Sequence, residues 1–358
     1  MNSKSLISKS KKIIASLREK GFFGTYNFLR DFCLSKIYPY YAVTIEITTK
    51  CNLNCIMCAH GSPNFRLRKD SNKNMPFEKF KFIINNLCGL KSINFAGLGE
   101  NFLNEDFMKM IRYAKSKNIL IDFFSNFYFI NEKIAEELIE IGVNKIHISI
   151  DGATKETYEK IRVGSDFEKV INNVKTIFRL KKEKNKYSPD IYFHYTINRY
   201  NIDEVVKYIE MIHSLREGQK TVIVFSKIES LFFKAALSNK TFESITLSEK
   251  TIQEVDRKSK ELGILVVWSN NIFKNKPLIN RCACYLEPFI SVNGDFFPCC
   301  TFLGSKSFQK DMIFGNIFES NLKKIWQSKK YINFRKLLRK GKTPPFCGYC
   351  CFFEVSKD

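Results

Sequence analysis

From residue 41 to about 227 the chain repeats one pattern. A short run alternates apolar and polar residues, and a longer stretch with apolar residues at helical spacing follows it. The alternating runs fall at 41–48, 91–97, 119–125, 145–151, 190–197 and 221–227. Amphipathic stretches at 76–88, 103–117, 131–141, 166–183 and 202–215 separate them. Strands alternating with helices predict an α/β fold of right-handed βαβ units around a parallel sheet. Six units without a nucleotide-binding glycine-rich turn fit an open, partial (β/α)6 barrel. On pattern alone a doubly wound sheet also remains open.

The strands carry a second signal. In "KIHISID", Ile146, Ile148 and Ile150 share one face, and His147, Ser149 and Asp151 share the other. In "IYFHYTIN", Ile191, Phe193, Tyr195 and Ile197 oppose Tyr192, His194, Thr196 and Asn198. In "VTIEIT", Val43, Ile45 and Ile47 oppose Thr44, Glu46 and Thr48. A filled barrel would turn branched apolar residues inward. A face that is polar on three strands predicts a hydrated lumen able to hold a polar ligand.

Composition narrows the classes. The chain has 358 residues, 44% of them hydrophobic, enough for one large domain or two. No run approaches the about 18 apolar residues of a membrane span. The opening "MNSKSLISKSKKIIASLREK" is broken by lysines and lacks the apolar block of a secretory signal, so the expected location is cytoplasmic. The net charge of +22 is mostly dispersed lysine, as in "RLKKEKNKY", with no basic stripe and no nucleic-acid motif. A solvated lysine surface is expected, and no nucleic-acid partner. Residues 1–40 hold eight Lys/Arg against Glu19 and Asp31. They read as a basic helical extension packed on the domain, with weak contact to an anionic membrane surface as the other reading.

Twelve cysteines in a long cytoplasmic chain argue against a disulfide framework. Three lie at Cys51, Cys55 and Cys58 and seven between 282 and 351, while Cys33 and Cys88 stand alone as small buried hydrophobes. Clustered thiols point to metal. Three thiolates on one short loop do not close a tetrahedral zinc site without a distant fourth ligand. They can hold three irons of a [4Fe–4S] cluster and leave the fourth iron open.

The stretch "TIEITTKCNLNCIMC", a C-x3-C-x2-C loop after a strand, resembles the radical S-adenosylmethionine (radical SAM) family. The resemblance implies that the open iron chelates SAM, and that an electron from the cluster cleaves it to a 5′-deoxyadenosyl radical that abstracts hydrogen. It covers roughly residues 41–227. "FAGLGENFLN" resembles the family's glycine-glycine-glutamate motif, with Gly97, Gly99 and Glu100, although Asn101 stands where relatives carry proline. The glycines are expected to let the backbone approach SAM, and nearby polar atoms to bind its ammonium. "FFSN" supplies Ser125 and Asn126 of a family turn whose glycine is Phe127 here. "ISIDG" makes Ser149 an expected SAM contact, and Arg162 of "KIR" an expected clamp on the SAM carboxylate. A flavodoxin- or ferredoxin-type reductant is the implied electron donor.

From Arg281 the composition changes to cysteines, turns and short strands. "CYLEPFISVNGDFFPCC", then "FGNIFESNLKKIWQSKKY", then "CGYC" resemble a SPASM or twitch accessory domain over 282–358. The resemblance implies that Cys284, Cys299, Cys347 and Cys350 ligate one auxiliary [4Fe–4S] cluster, with Gly294 making a tight hairpin turn. Zinc is the plainer alternative for four cysteines. Residues 228–281 are expected to connect the two parts without a chemical motif. A single fully ligated auxiliary cluster and a polar lumen favour oxidation, or dehydration or epimerisation, of a sugar, cyclitol or related small polar substrate. His194 is the candidate base. The alternatives are radical modification of a peptide, and a non-catalytic iron–sulfur sensor or scaffold.

Overall fold

The computed structural model describes residues 42–58, 60, 72–87, 89–227, 247–268, 287–299 and 309–339. The expected extension at 1–40 lies outside them. The six expected strands form as β1 (Ala42–Ile45), β2 (Ser92–Phe95), β3 (Leu120–Ser125), β4 (Lys145–Ser149), β5 (Asp190–Ile197) and β6 (Thr221–Lys227). They pair in that order and every pair is parallel. Each new strand joins the same edge, so the order never reverses. A doubly wound sheet requires a reversal, and the open barrel is what the chain forms.

The connections hold α1 (Phe77–Asn86), α2 (Phe107–Ser116), α3 (Glu132–Ile141), α4 (Lys155–Ile161), α5 (Phe167–Glu183) and α6 (Val205–Leu215). Local chemistry sets their ends. Asn131 caps α3 by accepting from Ile134 N at 2.9 Å, and Asp166 caps α5 by accepting from Lys169 N at 3.0 Å. Gly142, at φ +72°, stops α3 in the left-handed conformation. The branched and aromatic strand positions point outward under these helices. Phe95, Phe123, Ile146, Ile148 and Phe193 are fully buried in one cluster with Phe80, Met110, Leu138, Val174 and Ile209. The opposite positions, including Asn94, Asp122, Phe124, His147, Ser149, Tyr192 and His194, are half-buried along the lumen.

The sheet runs past both expected limits. Within the expected connecting region, α7 (Glu249–Glu261) leads to β7 (Leu265–Trp268), which pairs parallel with β6. The signal was weak because α7 is mostly polar, and Leu265 and Val267 point outward from an edge strand. At the other edge β8 (Phe289–Ile290) pairs parallel with β1, and β9 (Asp295–Phe297) and β10 (Gly315–Asn316) follow antiparallel. The C-terminal hairpin therefore extends the barrel sheet to ten strands. Among the described residues no helix is long and apolar enough to cross a membrane.

Candidate active site

The three cysteines sit on the loop after β1, and backbone bonds from three directions fix that loop. Glu100 N donates to Lys50 O at 2.7 Å, Asn54 N to Val163 O at 2.8 Å, and Ile56 N to Ile161 O at 3.0 Å. Asn126 Nδ2 donates to Asn52 Oδ1 at 2.8 Å. Leu53 and Met57 pack on Ile161. Cys55 is buried, and Cys51 and Cys58 are half-buried. Burial pushes both Cys51 and Cys55 up to about 12. Such thiols stay protonated until a metal displaces the proton. Among the described residues no three His, Cys, Asp or Glu side chains converge as a single metal ion requires. A cluster, in which each thiolate meets its own iron, has no such requirement.

The loops after β2 and β3 meet at Glu100. Its carboxylate accepts from Asn126 N at 2.7 Å, Ser125 Oγ at 2.9 Å and Phe102 N at 3.4 Å. Burial outweighs these donors and pushes its pKa up to about 7. A ligand ammonium beside it would favour the charged form, so the residue suits that cation. The Ser125 hydroxyl also accepts from Phe127 N at 2.9 Å, so its donor and an acceptor site are already engaged within the protein. Phe127 takes φ +63°, the left-handed conformation expected of a glycine, and its ring is fully buried. Asn101 Nδ2 bonds Phe95 O at 3.1 Å and Phe124 O at 2.8 Å, tying the ends of β2 and β3 together.

The two glycines are explained by protein contacts. A Cβ on Gly97 would lie 2.5 Å from Glu46 Cγ, and one on Gly99 would meet the backbone of Thr48 and Lys50. Glu46, the residue after β1, was expected only as part of the polar lumen face, and it is buried instead. Its Oε1 accepts from Leu98 N at 3.1 Å and its Oε2 from Val292 N at 3.4 Å, joining the glycine loop to the C-terminal hairpin.

Arg162 caps α4 beneath the cysteine loop. Its Nε and Nη2 both lie 2.6 Å from Asp151 Oδ2, and Nη1 lies 4.0 Å from Cys55 Sγ. Burial opposes its charge, but Asp151 more than offsets this and raises its pKa. The guanidinium edge expected for a SAM carboxylate is thus engaged by Asp151, and the remaining nitrogen faces the thiol. Asp151 is wholly buried, and its Oδ1 accepts from Thr196 N at 2.5 Å. An aspartate after a Ser on the polar face of "ISIDG" was the available signal for it.

On the lumen wall Ser149 pairs in register with His194. His194 Nε2 lies 2.8 Å from His147 Nδ1. The His147 ring stacks on Phe124 at 4.4 Å. Asn198 is not a lumen group, because its amide closes the turn after β5 through Thr196 O and Tyr200 N. At the C-terminus Gly294 makes the β8–β9 turn at φ +85°, and half-buried Cys299 packs beside Phe289, Phe297 and Met312. Cys284, Cys347 and Cys350 lie outside the described residues.

A model of the radical SAM superfamily matches residues 45–212, and one of the SPASM iron–sulfur cluster-binding domain matches residues 271–351. The chain is 24% identical over 345 residues to the tungsten-containing aldehyde ferredoxin oxidoreductase cofactor-modifying protein of Pyrococcus furiosus, covering 88% of this chain and 89% of that one. Streptococcus suis SuiB bound to its precursor peptide SuiA shares the fold at TM-score 0.63 and 14% identity, covering 88% of this chain and 72% of that one. The protein anSMEcpe with bound AdoMet and Cp18Cys peptide does so at TM-score 0.56 and 20% identity, covering 86% and 85%. The chain belongs to the enzymatic radical SAM superfamily, whose domain binds a [4Fe–4S] cluster and SAM, and its C-terminal part is a SPASM domain, which binds auxiliary iron–sulfur clusters.

Proposed function

We propose that this protein is a radical SAM maturase that abstracts hydrogen from a peptide substrate held in the barrel lumen. When bound, the cluster and SAM together supply the hydrogen-abstracting radical. Cys51, Cys55 and Cys58 hold the cluster, Glu100 receives the SAM ammonium, and Gly97, Gly99 and Ser149 border the cofactor on the same rim. Arg162 holds Asp151 and faces Cys55, and Ser125 acts by orienting Glu100. Cys284, Cys299, Cys347 and Cys350 hold the auxiliary cluster. The observation that carries this reading is the docking of the cysteine loop on Glu100, Asn126 and the end of α4, which brings the strand-end motifs to one rim. A peptide is favoured over the sugar or cyclitol because two proteins with this fold hold peptides.

The test starts with anaerobically reconstituted protein, dithionite and SAM. 5′-Deoxyadenosine should form, and Cys51→Ala should abolish it and remove about half of the iron, two cubane clusters being expected. No 5′-deoxyadenosine under strong reduction would instead favour a sensor or scaffold. A perdeuterated peptide digest and a set of carbinol-deuterated polyols then separate the substrate classes. Deuterium reaching 5′-deoxyadenosine from the peptides supports the maturase; label from the polyols alone would restore the small-metabolite reading.

A further inference from the structure

Two imidazoles in the lumen stand out among its side chains. His147 and His194 come from adjacent parallel strands, and Nδ1 of the first meets Nε2 of the second at 2.8 Å. That contact needs one proton between two nitrogens, and either ring can be its donor. The rings are held in place. His147 lies between Phe124, stacked at 4.4 Å, and Tyr192 at 5.0 Å, while Phe124 also contacts His194 at 4.8 Å. The pair lies along the barrel axis. His194 is level with Ser149 toward the cysteine rim and feels the charge of Arg162, whereas His147 sits deeper and feels that of Lys145.

We infer that His147 and His194 form a neutral two-imidazole proton relay, and that the substrate carbon acted on bears a heteroatom-bound hydrogen, O–H, N–H or S–H, whose proton leaves through His194. The inference rests on the lumen being the reaction chamber. The step balances without an ion. A proton arrives at His194 Nδ1, the shared proton moves from His194 Nε2 to His147 Nδ1, and the proton on His147 Nε2 departs to the deeper lumen. Each ring begins and ends neutral and has exchanged one tautomer for the other. This resolves a conflict in the site. Burial lowers His194 to about 4 and His147 to about 3, so neither is an effective lone base near neutral pH. A pair that passes a proton onward never has to hold the charge that burial penalises. His194 faces the reacting group, and His147 acts through it.

The chain has four histidines, so selective 15N-histidine labelling of the cluster-loaded protein yields four imidazole signals. Near neutral pH the ring nitrogens of His147 and His194 should show shifts averaged between protonated and bare nitrogen, the mark of two exchanging tautomers. In His147→Phe, which keeps a ring against Phe124, the nitrogens of His194 should separate into one fixed tautomer. A single frozen tautomer in the unaltered protein, or an imidazolium on either ring, overturns the relay. Neither result touches the radical reading, which is scored separately by 5′-deoxyadenosine from SAM.

Discussion

Asp151 and Arg162 form the most buried ion pair of the site, and Arg162 holds it with the guanidinium edge that the sequence reading reserved for SAM. Removing the cation alone would strand a wholly buried carboxylate. Breaking a buried pair from one side costs about 3–5 kcal/mol, so Arg162→Ala should unfold at markedly lower urea than the parent. Arg162→Lys keeps the charge but lacks the fork that supplies both contacts to Oδ2, and should fall between the two. Urea midpoints measured side by side check this; equal midpoints would mean that Asp151 has another source of compensation. The histidine pair gives a pH-dependent counterpart. Both rings carry pKa values lowered from 6.5, to about 3 and about 4, so between these values and 6.5 the unfolded chain binds more protons. Stability contributed by the neutral pair is therefore full above 6.5 and lost as the pH falls toward 4. Glu100, raised to about 7, acts in the opposite sense over an overlapping range, so the prediction is best posed as a difference. Replacing both histidines by Phe should flatten the acid-side loss seen in the parent between about pH 6.5 and 4.5 in urea titrations.

At the scale of the element, the turn after β3 holds a phenylalanine in the left-handed backbone that a glycine adopts freely. Phe127 stays at φ +63° while its carbonyl accepts from Asn173 Nδ2 at 2.9 Å and its ring fills the core. Left-handed geometry costs a non-glycine residue about 1–2 kcal/mol. A buried Phe truncated to Ala costs about 3–5 kcal/mol. Phe127→Gly should therefore destabilise by a net of about 1–4 kcal/mol although glycine is the easier backbone. A thermal melt that rose would show that the turn's strain exceeds the ring's packing. The strands and the sites behind them were legible for a common reason. Alternation marks a face directly, so 145–151 and 190–197 were found nearly to the residue, together with the rim that carries their ends. What alternation does not encode is partner choice. Nothing local tells that Ser125 turns to Glu100, that Arg162 turns to Asp151, or that Asn101 bonds two strand ends. Short α4 was missed between β4 and α5, and α7 with β7 was hidden because few of its residues face the core.

Across the whole molecule, the C-terminal hairpin covers the edge of β1 that an open barrel would leave unpaired. Thr44 N donates to Pro288 O and Glu46 N to Ile290 O, each at 2.9 Å. Covering that edge also removes a template for aggregation. Glu46 strengthens the join from the side chain, with one carboxylate oxygen on the glycine loop and the other on the hairpin at Val292. The absent side chain of Gly97 makes room for it. If the glycine serves Glu46, then Glu46→Ala and Gly97→Ala damage the same contact. The first leaves two buried amides without this acceptor, at about 1–3 kcal/mol each. The second drives a methyl into Glu46 and displaces it. In the double variant the methyl enters space that Glu46 no longer fills, so the combined loss should be smaller than the sum of the two, by at least about 1 kcal/mol in a urea-denaturation cycle. Faster hydrogen exchange at the Leu98 and Val292 amides should accompany each single change. Strict additivity, with Gly97→Ala weakening SAM binding and leaving stability untouched, would instead return the glycine to the role first expected of it, close backbone approach to the cofactor.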